Sequence, residues 1–381
     1  MFKKLFVSLL IGTVIFLACF CFAISAFTIK PEEEFYKKLS WVRSNVLQIT
    51  PDAGNIMLIN TSTDLQLFQN DQVSSVVANR RDLIRLFNHI IASGDTTCSI
   101  ALDLDLSDPL LFGKGERDSL QAAINKLPFI CVPLVRKPTG IIPPVIHARY
   151  AWASYDTYGE KIDKIELMRK DTAVPSLPLA MLTKNDSTRY RLWHGILLKG
   201  RQPYFNFIWP GYFIKDCESA QKAGAECEDL AELLSYLQGN PDSIKSYFHQ
   251  KNIFIGNFSQ INATPAEEMS GVFVLANTYL TIASGQHIIR FSWVLLMIVV
   301  FTVLSYYSWY ESLPTVTLPK WLIFSKEILE WLNKLISYTV VLLLLSAVSI
   351  LVFGISVEFI VAAPIFSFIN YFRFKKYKEN Q

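Results

Sequence analysis

The chain has few charged residues and no large excess of either sign. Only 18% of its 381 residues are charged, and 36 Lys and Arg against 33 Asp and Glu give a formal charge of +3. Nucleic-acid binding draws on clustered cations that replace counterions, so the sequence predicts no nucleic-acid partner. Hydrophobic residues make up 51% of the chain. That fraction excludes an intrinsically disordered chain and disfavours a purely cytosolic soluble enzyme.

Several catalytic and metal-binding motifs are missing from the sequence. It contains no glycine-rich phosphate loop, no nucleophile elbow and no Cys/His set with zinc-ligand spacing. A histidine without a partner at fixed spacing is usually a surface or core residue. The sequence therefore predicts no enzymatic activity, no metal and no cofactor. The five histidines are scattered singly, at His89, His147, His194, His249 and His287.

Long, almost uncharged apolar runs are what the chain does contain. Three occur, at Leu5–Phe27, Phe291–Tyr310 and Leu335–Phe372. A helix rises about 1.5 Å per residue and needs about 20 apolar residues to cross the hydrocarbon core. The third run is too long for one crossing, so we predict a hairpin of two helices at about 335–353 and 356–372. The total is four transmembrane helices.

The positions of Lys and Arg predict how these helices are oriented. Lys3 and Lys4 precede the first run, and a basic tail at 373–378 follows the last. Positive charge accumulates on the cytoplasmic side of a membrane. We therefore predict that both termini and the connection 311–334 are cytoplasmic, and that residues 28–289 form one domain outside the cytoplasm.

The first apolar run has a second interpretation as a cleaved signal peptide. Two lysines precede it, and Leu17-Ala18-Cys19 is similar to a lipoprotein cleavage motif. The apolar stretch continues eight residues beyond Cys19, and Phe16 fits that motif poorly. These observations favour an uncleaved anchor over residues 1–27.

Within residues 28–289, short apolar strands alternate with amphipathic helices. Ile56–Asn60 has the composition of a strand, and Asn79–Ser93 follows with Leu83, Phe87 and Ile90 on one helical face. This alternation predicts an α/β domain in which helices cover both faces of a mostly parallel sheet. Further strands are predicted at Cys98–Leu106, Phe129–Val135, Tyr150–Ser154, Ile162–Met168, Tyr204–Trp209 and Asn252–Asn257, and further helices at Glu116–Lys126, Leu230–Leu237, Ser243–Gln250 and Val272–Ser284.

Four cysteines fall in the predicted outer domain. Cys217 and Cys227 flank a polar loop, and an oxidising compartment permits a disulfide between them. Cys98 and Cys131 lie in or beside apolar strands, where buried free thiols are the simpler interpretation.

Two connections between the outer domain and the membrane carry predictions of their own. Only Gly285 to Arg290 separate the last outer helix from the second apolar run. Because the linker, which includes His287, is so short, we predict that a displacement of the domain either moves the helix or strains the joint. At the other end, an apolar stripe with 4-3-4 spacing forms either a coiled-coil seam or a face that packs on its own domain. Its members are Phe35, Leu39, Val42 and Val46.

Several short motifs occur in order along nearly the whole chain. Arg81 leads the helix after the first strand, and Leu102–Pro109 (LDLDLSDP) follows in the next strand. In sequence and order the motifs resemble those of the type-2 CHASE domain, a bacterial extracytoplasmic sensory module with one helix before it and three after. The chain departs from that family at Asn60, where Asp is frequent, and at Leu275, where His is frequent. The other matching segments are Asp118–Ile124, Pro175–Ala180, Phe205–Phe207, Lys251–Gly256, Thr264–Pro265, Gly271–Val272 and Ala276–Asn277.

The resemblance implies that an outer stimulus alters the membrane helices and thereby a cytoplasmic effector. An output enzyme commonly follows the last helix in such proteins, whereas only 373–381 follow it here. We therefore expect the effector to be a separate cytoplasmic or membrane protein, and this chain to be a homodimer or a subunit of a complex. The departures imply an altered ligand or a degenerate pocket. Candidate ligand contacts are Asn60, Arg81, Asp103, Asp105, Asn206 and Asn277.

Three other functions compete with a sensor. Asp103-Leu104-Asp105 is superficially similar to the haloacid-dehalogenase phosphatase motif, but no supporting lysine or late acidic pair is well placed. A transporter usually carries intramembrane charges, whereas the apolar runs contain only Glu358, at a predicted outer edge. A structural or accessory subunit of a cell-envelope complex is the strongest competitor. The apolar stripe Trp321–Leu335 is either a helix in the lipid headgroups or a docking surface for a partner.

Overall fold

The chain folds into two compact units. The helical unit comprises Met1–Val42, Trp193–Phe207 and Gln286–Gln381, and the sheet unit comprises Arg43–Leu192 and Ile208–Gly285. The computed structural model describes residues 2–25, 30–69, 74–113, 115–137, 140–153, 157–158, 161–162, 164–184, 190–211, 213–240, 244–264, 268–311, 313, 326–355 and 359–379.

Short helices and strands alternate through the sheet unit, and the longest helices belong to the helical unit. The helices are α1 (Phe2–Ala23), α2 (Lys30–Asn45), α3 (Arg80–Ala92), α4 (Glu116–Ile124), α5 (Leu177–Leu182), α6 (Cys217–Lys222), α7 (Leu230–Gly239), α8 (Ile244–Tyr247), α9 (Gly271–Ala283), α10 (Phe291–Tyr310), α11 (Lys326–Val348) and α12 (Ala362–Glu379). The strands are β1 (Ile56–Asn60), β2 (Leu65–Gln69), β3 (Ser74–Ala78), β4 (Ser99–Asp103), β5 (Ile130–Lys137), β6 (Gly140–Ile142), β7 (Arg149–Trp152), β8 (Thr157–Tyr158), β9 (Lys161–Ile162), β10 (Ile165–Glu166), β11 (Tyr190–Trp193), β12 (Ile196–Lys199), β13 (Gln202–Phe205), β14 (Phe207–Ile208), β15 (Glu226–Asp229), β16 (Asn252–Gly256), β17 (Ile261–Ala263) and β18 (Glu268–Ser270).

The main sheet is mostly parallel, as the alternation of strands and helices predicts. Its order is β15-β1-β16-β4-β5, with β7 parallel and β6 antiparallel to β5. The strands β1, β4 and β16 are buried along most of their length, which explains why they are continuously apolar in sequence. Burying one such Ile, Leu or Phe side chain contributes about 1.5–3 kcal/mol, so these strands stabilise the unit.

Helices cover both faces of this sheet. Met57, Ile59 and Ile255 point to one face and join the apolar sides of α3, α4, α7 and α8 in a single cluster. Side chains alternate along a strand, so Phe254 points to the opposite face. There its ring lies 5.8 Å from the ring of Tyr279 in α9, and α5 packs beside α9. The predicted α/β class is therefore correct for this unit.

Some predicted elements have different bounds in the structure. The strand predicted at Cys98–Leu106 ends at Asp103, and the described part of Ile162–Met168 overlaps the last residue of β9 and contains the two-residue strand β10. The helix predicted at Ser243–Gln250 is reduced to α8. The β2–β3 hairpin and the β12–β13 hairpin were not predicted, since each strand is short and only partly apolar. The apolar stripe at 35–46 lies mostly in α2.

Three helices of the helical unit are long and apolar enough to cross a membrane. They are Phe2–Ala23, Phe291–Tyr310 and Ile328–Phe353. The first two agree with the predicted spans, whereas the third begins earlier than predicted because residues 326–334, expected in a cytoplasmic connection, continue α11. The predicted fourth span overlaps α12, which starts at Ala362 and runs on through the basic tail to Glu379. Trp321, Phe324 and Glu358 lie outside the described residues.

The absence of a side chain at Gly12 lets α1 approach α10 closely. A Cβ atom at this position would lie 2.6 Å from the carbonyl oxygen of Phe301, which is too close for any side chain. One turn further, the ring of Phe16 contacts the rings of Trp293 and Phe301 at 6.0 and 5.7 Å. Small residues allow such close helix packing within a membrane.

Polar side chains connect the remaining helices of this unit. Trp293 Nε1 donates to Ser349 Oγ at 2.9 Å, and Ser308 Oγ lies 2.8 Å from the hydroxyl of Tyr338. Asn370 Nδ2 of α12 lies 3.2 Å from the carbonyl oxygens of both Ser308 and Glu311. These bonds link α12 to the C-terminal end of α10.

Candidate functional site

The ends of four strands lie in one row along an edge of the main sheet, and three of them carry a polar residue. The register pairs Asn60 of β1 with Asp229 of β15 and with Gly256 of β16, and it pairs Gly256 with Asp103 of β4. The strands run parallel, so their carboxyl ends meet here. Open α/β sheets bind ligands outside this edge.

A cavity of about 410 Å³ lies at this edge. Its walls come from the residues that end or follow β1, β4 and β16, from the β2–β3 hairpin and from the first turn of α3. Most pockets for small ligands are larger than about 300 Å³ and combine apolar walls with a few polar groups. The lining residues are Thr61, Leu65, Val76, Val77, Ala78, Arg80, Leu83, Asp103, Leu104, Asp105, Leu106, Leu111, Asn257 and Gln260.

Arg80 is the only positively charged residue among those that line the cavity within the described part of the chain. Its side chain is almost fully buried, with 4% of the residue exposed. The guanidinium lies 3.9 Å from the ring centre of Phe112, which covers it as in a cation–π contact. Burial lowers the pKa of Arg80, and the negative charges of Glu116, Asp105 and Asp108 oppose that shift. Because arginine stays protonated in proteins, the cavity wall carries a permanent cation.

The carboxylates near Arg80 accept hydrogen bonds from the backbone of their own loops. Asp105 Oδ1 accepts from the Ser107 amide at 2.8 Å, and Asp108 Oδ1 accepts from the Leu110 amide at 2.9 Å. Glu116 accepts from the Gly113 amide at 2.9 Å and pairs with Arg81 at 3.4 Å. Among the described residues, Arg80 makes no side-chain hydrogen bond of its own.

Asp103 is the second charged group of interest in this cavity. It ends β4, and its carboxyl makes no hydrogen bond or ion pair with a described residue. Burial raises the pKa of Asp103 to about 7, because the surrounding apolar atoms disfavour the ionised form. The side chain is partly exposed to the cavity. Near neutral pH it is therefore a mixture of carboxylic acid and carboxylate.

Of the six predicted ligand contacts, only Asp103 and Asp105 line the cavity. Asn60 instead joins the loops at the sheet edge: its Nδ2 donates to Asp229 at 2.6 Å, and its Oδ1 accepts from the amides of Ser62 and Phe258. Arg81 points to solvent, with 77% of its side chain exposed. The cationic residue that lines the cavity is its neighbour, Arg80, the first residue of α3.

The two other predicted contacts have different surroundings. Asn277 of α9 is buried; its Oδ1 accepts from the amides of Phe213 and Ile214, and its Nδ2 donates to the Ile214 carbonyl. It holds the loop before α6. Asn206 is also buried, but it belongs to the helical unit, between β13 and β14. Neither residue lines the cavity.

The predicted linker is a hydrogen-bonded segment and not a free tether. The amide of Phe205 donates to the carbonyl oxygen of His287 at 2.9 Å, and the amide of Ile289 donates to the carbonyl oxygen of Pro203 at 3.1 Å. Tyr204 and Ile288 form an antiparallel bridge between these bonds. Residues 287–289 therefore pair with the β12–β13 hairpin through one β-bridge and two backbone hydrogen bonds, and we name this arrangement the hairpin clamp (residues 196–205 and 287–289).

The hairpin clamp also contacts the membrane helices of its own unit. The ring of Phe205 lies 5.6 Å from Phe20 of α1 and 5.9 Å from Trp293 of α10. His287 is buried, and its ring lies 4.9 Å from that of Tyr204. Neither ring nitrogen of His287 finds a hydrogen-bond partner in the described residues, and burial lowers its pKa to about 4. Arg290 is the N-cap residue of α10.

The cysteines fall into two classes. A disulfide joins Cys217, the first residue of α6, to Cys227 of β15. Cys98 and Cys131 are buried free thiols, and burial raises the pKa of Cys98 to about 11 and that of Cys131 to about 12. They are therefore poor nucleophiles at neutral pH.

The chain was compared with known protein families, curated proteins and solved structures. The chain matches no family model, no curated protein and no solved structure. The resemblance to type-2 CHASE domains therefore remains a prediction from the order of its motifs.

Proposed function

We propose that this chain is a membrane-anchored sensor of the bacterial inner membrane. In this proposal the sheet unit lies outside the cytoplasm and binds a small ligand at the carboxyl edge of its parallel sheet. The membrane helices then pass the occupancy of that cavity to a separate effector. The observation that carries the proposal is the cavity itself, which combines apolar walls with a buried arginine and an unpaired carboxyl group.

Two further features support the proposed orientation. The disulfide between Cys217 and Cys227 belongs to the sheet unit, and disulfides persist in oxidising compartments. Lysines precede the apolar part of α1, and the last turns of α12 are basic. With α12 as a fourth crossing, both termini lie in the cytoplasm by the positive-inside rule.

The covalent connections between the units suggest how the signal travels. The chain passes directly from α9 of the sheet unit into the hairpin clamp and then into α10. The clamp holds its residues by backbone hydrogen bonds, so a displacement of α9 reaches α10 without being absorbed by a flexible loop. The effector is a cytoplasmic or membrane protein that recognises the altered helices, in a homodimer or in a larger complex.

Cysteine labelling tests the orientation that this function needs. A Lys126→Cys variant places an exposed thiol on the sheet unit, and a Lys3→Cys variant places one before the first helix. We expect a membrane-impermeant maleimide to label position 126 in spheroplasts and position 3 only after lysis. Labelling of position 3 alone in intact spheroplasts would overturn the proposal.

A ligand screen separates the sensor from a second candidate function, an accessory subunit of an envelope complex. Three apolar side chains of the β2–β3 hairpin favour that alternative, since Leu65, Leu67 and Val76 are 42–64% exposed. For a sensor, some small molecule raises the unfolding midpoint of the full chain in lipid nanodiscs, because a ligand stabilises the state that binds it. An accessory subunit responds only to a protein partner.

A further inference from the structure

We propose that the cavity binds a small zwitterion, with a carboxylate on Arg80, an ammonium group on Asp103 and an apolar side chain against the cavity wall. An apolar α-amino acid is the simplest molecule of this class. The inference rests on the proposed function, in that it names the ligand of the same cavity.

The anionic end is assigned from the state of Arg80. Its guanidinium face is covered by Phe112 at 3.9 Å, while its five N–H donors make no hydrogen bond to a described residue. A buried cation without hydrogen bonds is costly, and a planar carboxylate satisfies two of its donors at once. The nearby carboxylates of Asp105, Asp108 and Glu116 accept from backbone amides instead.

The beginning of α3 does not supply this anion site by itself. Asn79 caps the helix and accepts from the amides of Arg81 and Asp82. Asp82 adds a negative charge to the first turn, where it is also paired with Arg85. Recognition of a carboxylate therefore depends on the side chain of Arg80.

The cationic end is assigned from Asp103. Its carboxyl group faces the same cavity and is unpaired among the described residues. Asp105 also lines the cavity and adds negative charge, whereas Arg80 is the lining cation. An ammonium group beside Asp103 would favour its ionised form and restore a partner to it. A second carboxylate on the ligand would instead be repelled.

The rest of the wall suits an apolar side chain. Leu65, Val76, Leu83, Leu106 and Leu111 line the cavity, whose volume of about 410 Å³ exceeds what a single small amino acid occupies. A branched apolar side chain, or a short peptide with free termini, would fill it better. Each methylene group buried there adds about 0.8 kcal/mol.

Calorimetry on the full chain in lipid nanodiscs tests this assignment with three probes at pH 7, where the α-amino group of an amino-acid amide is mostly protonated. Leucine carries both charges, N-acetylleucine lacks the ammonium group, and leucinamide lacks the carboxylate. We expect leucine to bind at least tenfold more tightly than either capped compound. Equal binding of the three compounds, or no saturable binding of any of them, would overturn the inference.

Two variants and a matched control locate the charges. Arg80→Gln should weaken the binding of leucine at least tenfold and leave the binding of leucinamide unchanged. Asp103→Asn should weaken the binding of leucine and leave the binding of N-acetylleucine unchanged. Arg81→Gln removes the adjacent arginine, which points to solvent, and should bind leucine like the parent protein. If Arg81→Gln weakens leucine as much as Arg80→Gln, the cavity assignment is wrong.

These outcomes are distinct from failure of the proposed function. Binding of a different small molecule in the nanodisc screen would leave the sensor proposal intact and reject only the zwitterion. Labelling that placed the sheet unit in the cytoplasm would reject the sensor, whether or not leucine binds.

Discussion

The backbone amide of Phe205 donates a hydrogen bond to the carbonyl oxygen of His287, over 2.9 Å, and so joins the β12–β13 hairpin to the segment that leads into α10. Sequence alone predicted a short tether at this place. The hydrogen bonds make it part of a small sheet in which Phe205 also contacts α1 and α10. Movement of this segment therefore requires either a joint movement of the hairpin or the loss of these bonds.

Hydrogen exchange tests the hairpin clamp directly. The amides of Phe205 and Ile289 are donors in its backbone bonds. We expect both to exchange far more slowly than amides in an exposed loop, because exchange requires the clamp to open. Insertion of Gly-Ser-Gly after Gly285 should leave this protection in place and uncouple the sheet unit from α10. Exchange of both amides at the rate of an unfolded chain would contradict the clamp.

His287 makes the clamp sensitive to acid. Its pKa falls from the ordinary 6.5 to about 4 because the ring is buried, so between these values the unfolded chain binds more protons than the folded chain. The contribution of the buried neutral ring to the free energy of unfolding is therefore fully present above about pH 6.5. It falls by about 3 kcal/mol at most as the pH drops toward 4. His287→Phe should make the unfolding midpoint nearly independent of pH across this window, whereas His89→Phe, at a half-buried position of α3, should not.

Asp103 makes stability depend on pH in the opposite direction. Its pKa rises from 3.8 to about 7 in the folded chain, so the folded state retains a proton that the unfolded state has already lost. Stability therefore falls as the pH rises from about 4 through 7. Asp103→Asn should raise the unfolding midpoint at pH 8 and leave it unchanged near pH 4. The control Asp118→Asn removes an exposed carboxylate from α4 and should show no such difference.

The contact between α1 and α10 depends on the small size of Gly12. Gly12→Val places a side chain against the backbone of Phe301 and should destabilise the helical unit by about 1–3 kcal/mol. Val14→Leu is the matched control, since Val14 is 58% exposed on the same helix. Denaturation in mild detergent measures both variants. An unchanged midpoint for Gly12→Val would mean that the two helices are not in close contact.

The disulfide should stabilise the sheet unit by linking α6 to β15. Cys217→Ser with Cys227→Ser removes a bridge between residues ten positions apart, and such bridges contribute about 2–4 kcal/mol. The double variant should therefore unfold at a lower denaturant concentration. Alkylation without reductant provides the second measurement. Reaction of Cys217 and Cys227 in protein isolated from cells would contradict an oxidising compartment.

The parallel sheet and the first two membrane spans could be predicted from sequence because their signals are local. Continuous apolar strands such as β1 and β16 and an uncharged run such as Phe291–Tyr310 need no partner to be recognised. The cavity could not be predicted from such local signals. The arginine that lines it is Arg80 and not the adjacent Arg81, and sequence does not distinguish the two until the first turn of α3 directs one inward and the other to solvent.

Other parts of the site depended on contacts that sequence does not contain. Asn60, Asn206 and Asn277 were candidate ligand contacts because they lie in or beside the motifs that resemble the type-2 CHASE domain. Asn60 and Asn277 satisfy backbone groups of nearby loops instead, in pairings that span 63 to 198 positions. The hairpin clamp was not predicted, because Phe205 and His287 are far apart in sequence and come together only in the folded chain.

The two units alternate along the chain, and this limits which fragments of the protein can be produced separately. A secreted fragment spanning 28–289 retains the β12–β13 hairpin but omits Phe20 and Trp293, the aromatic neighbours of Phe205. Such a fragment would expose the aromatic ring of Phe205 to water and would aggregate through it, whatever the stability of the sheet unit. A usable fragment has to leave out Trp193–Phe207 as well, because this segment belongs to the helical unit.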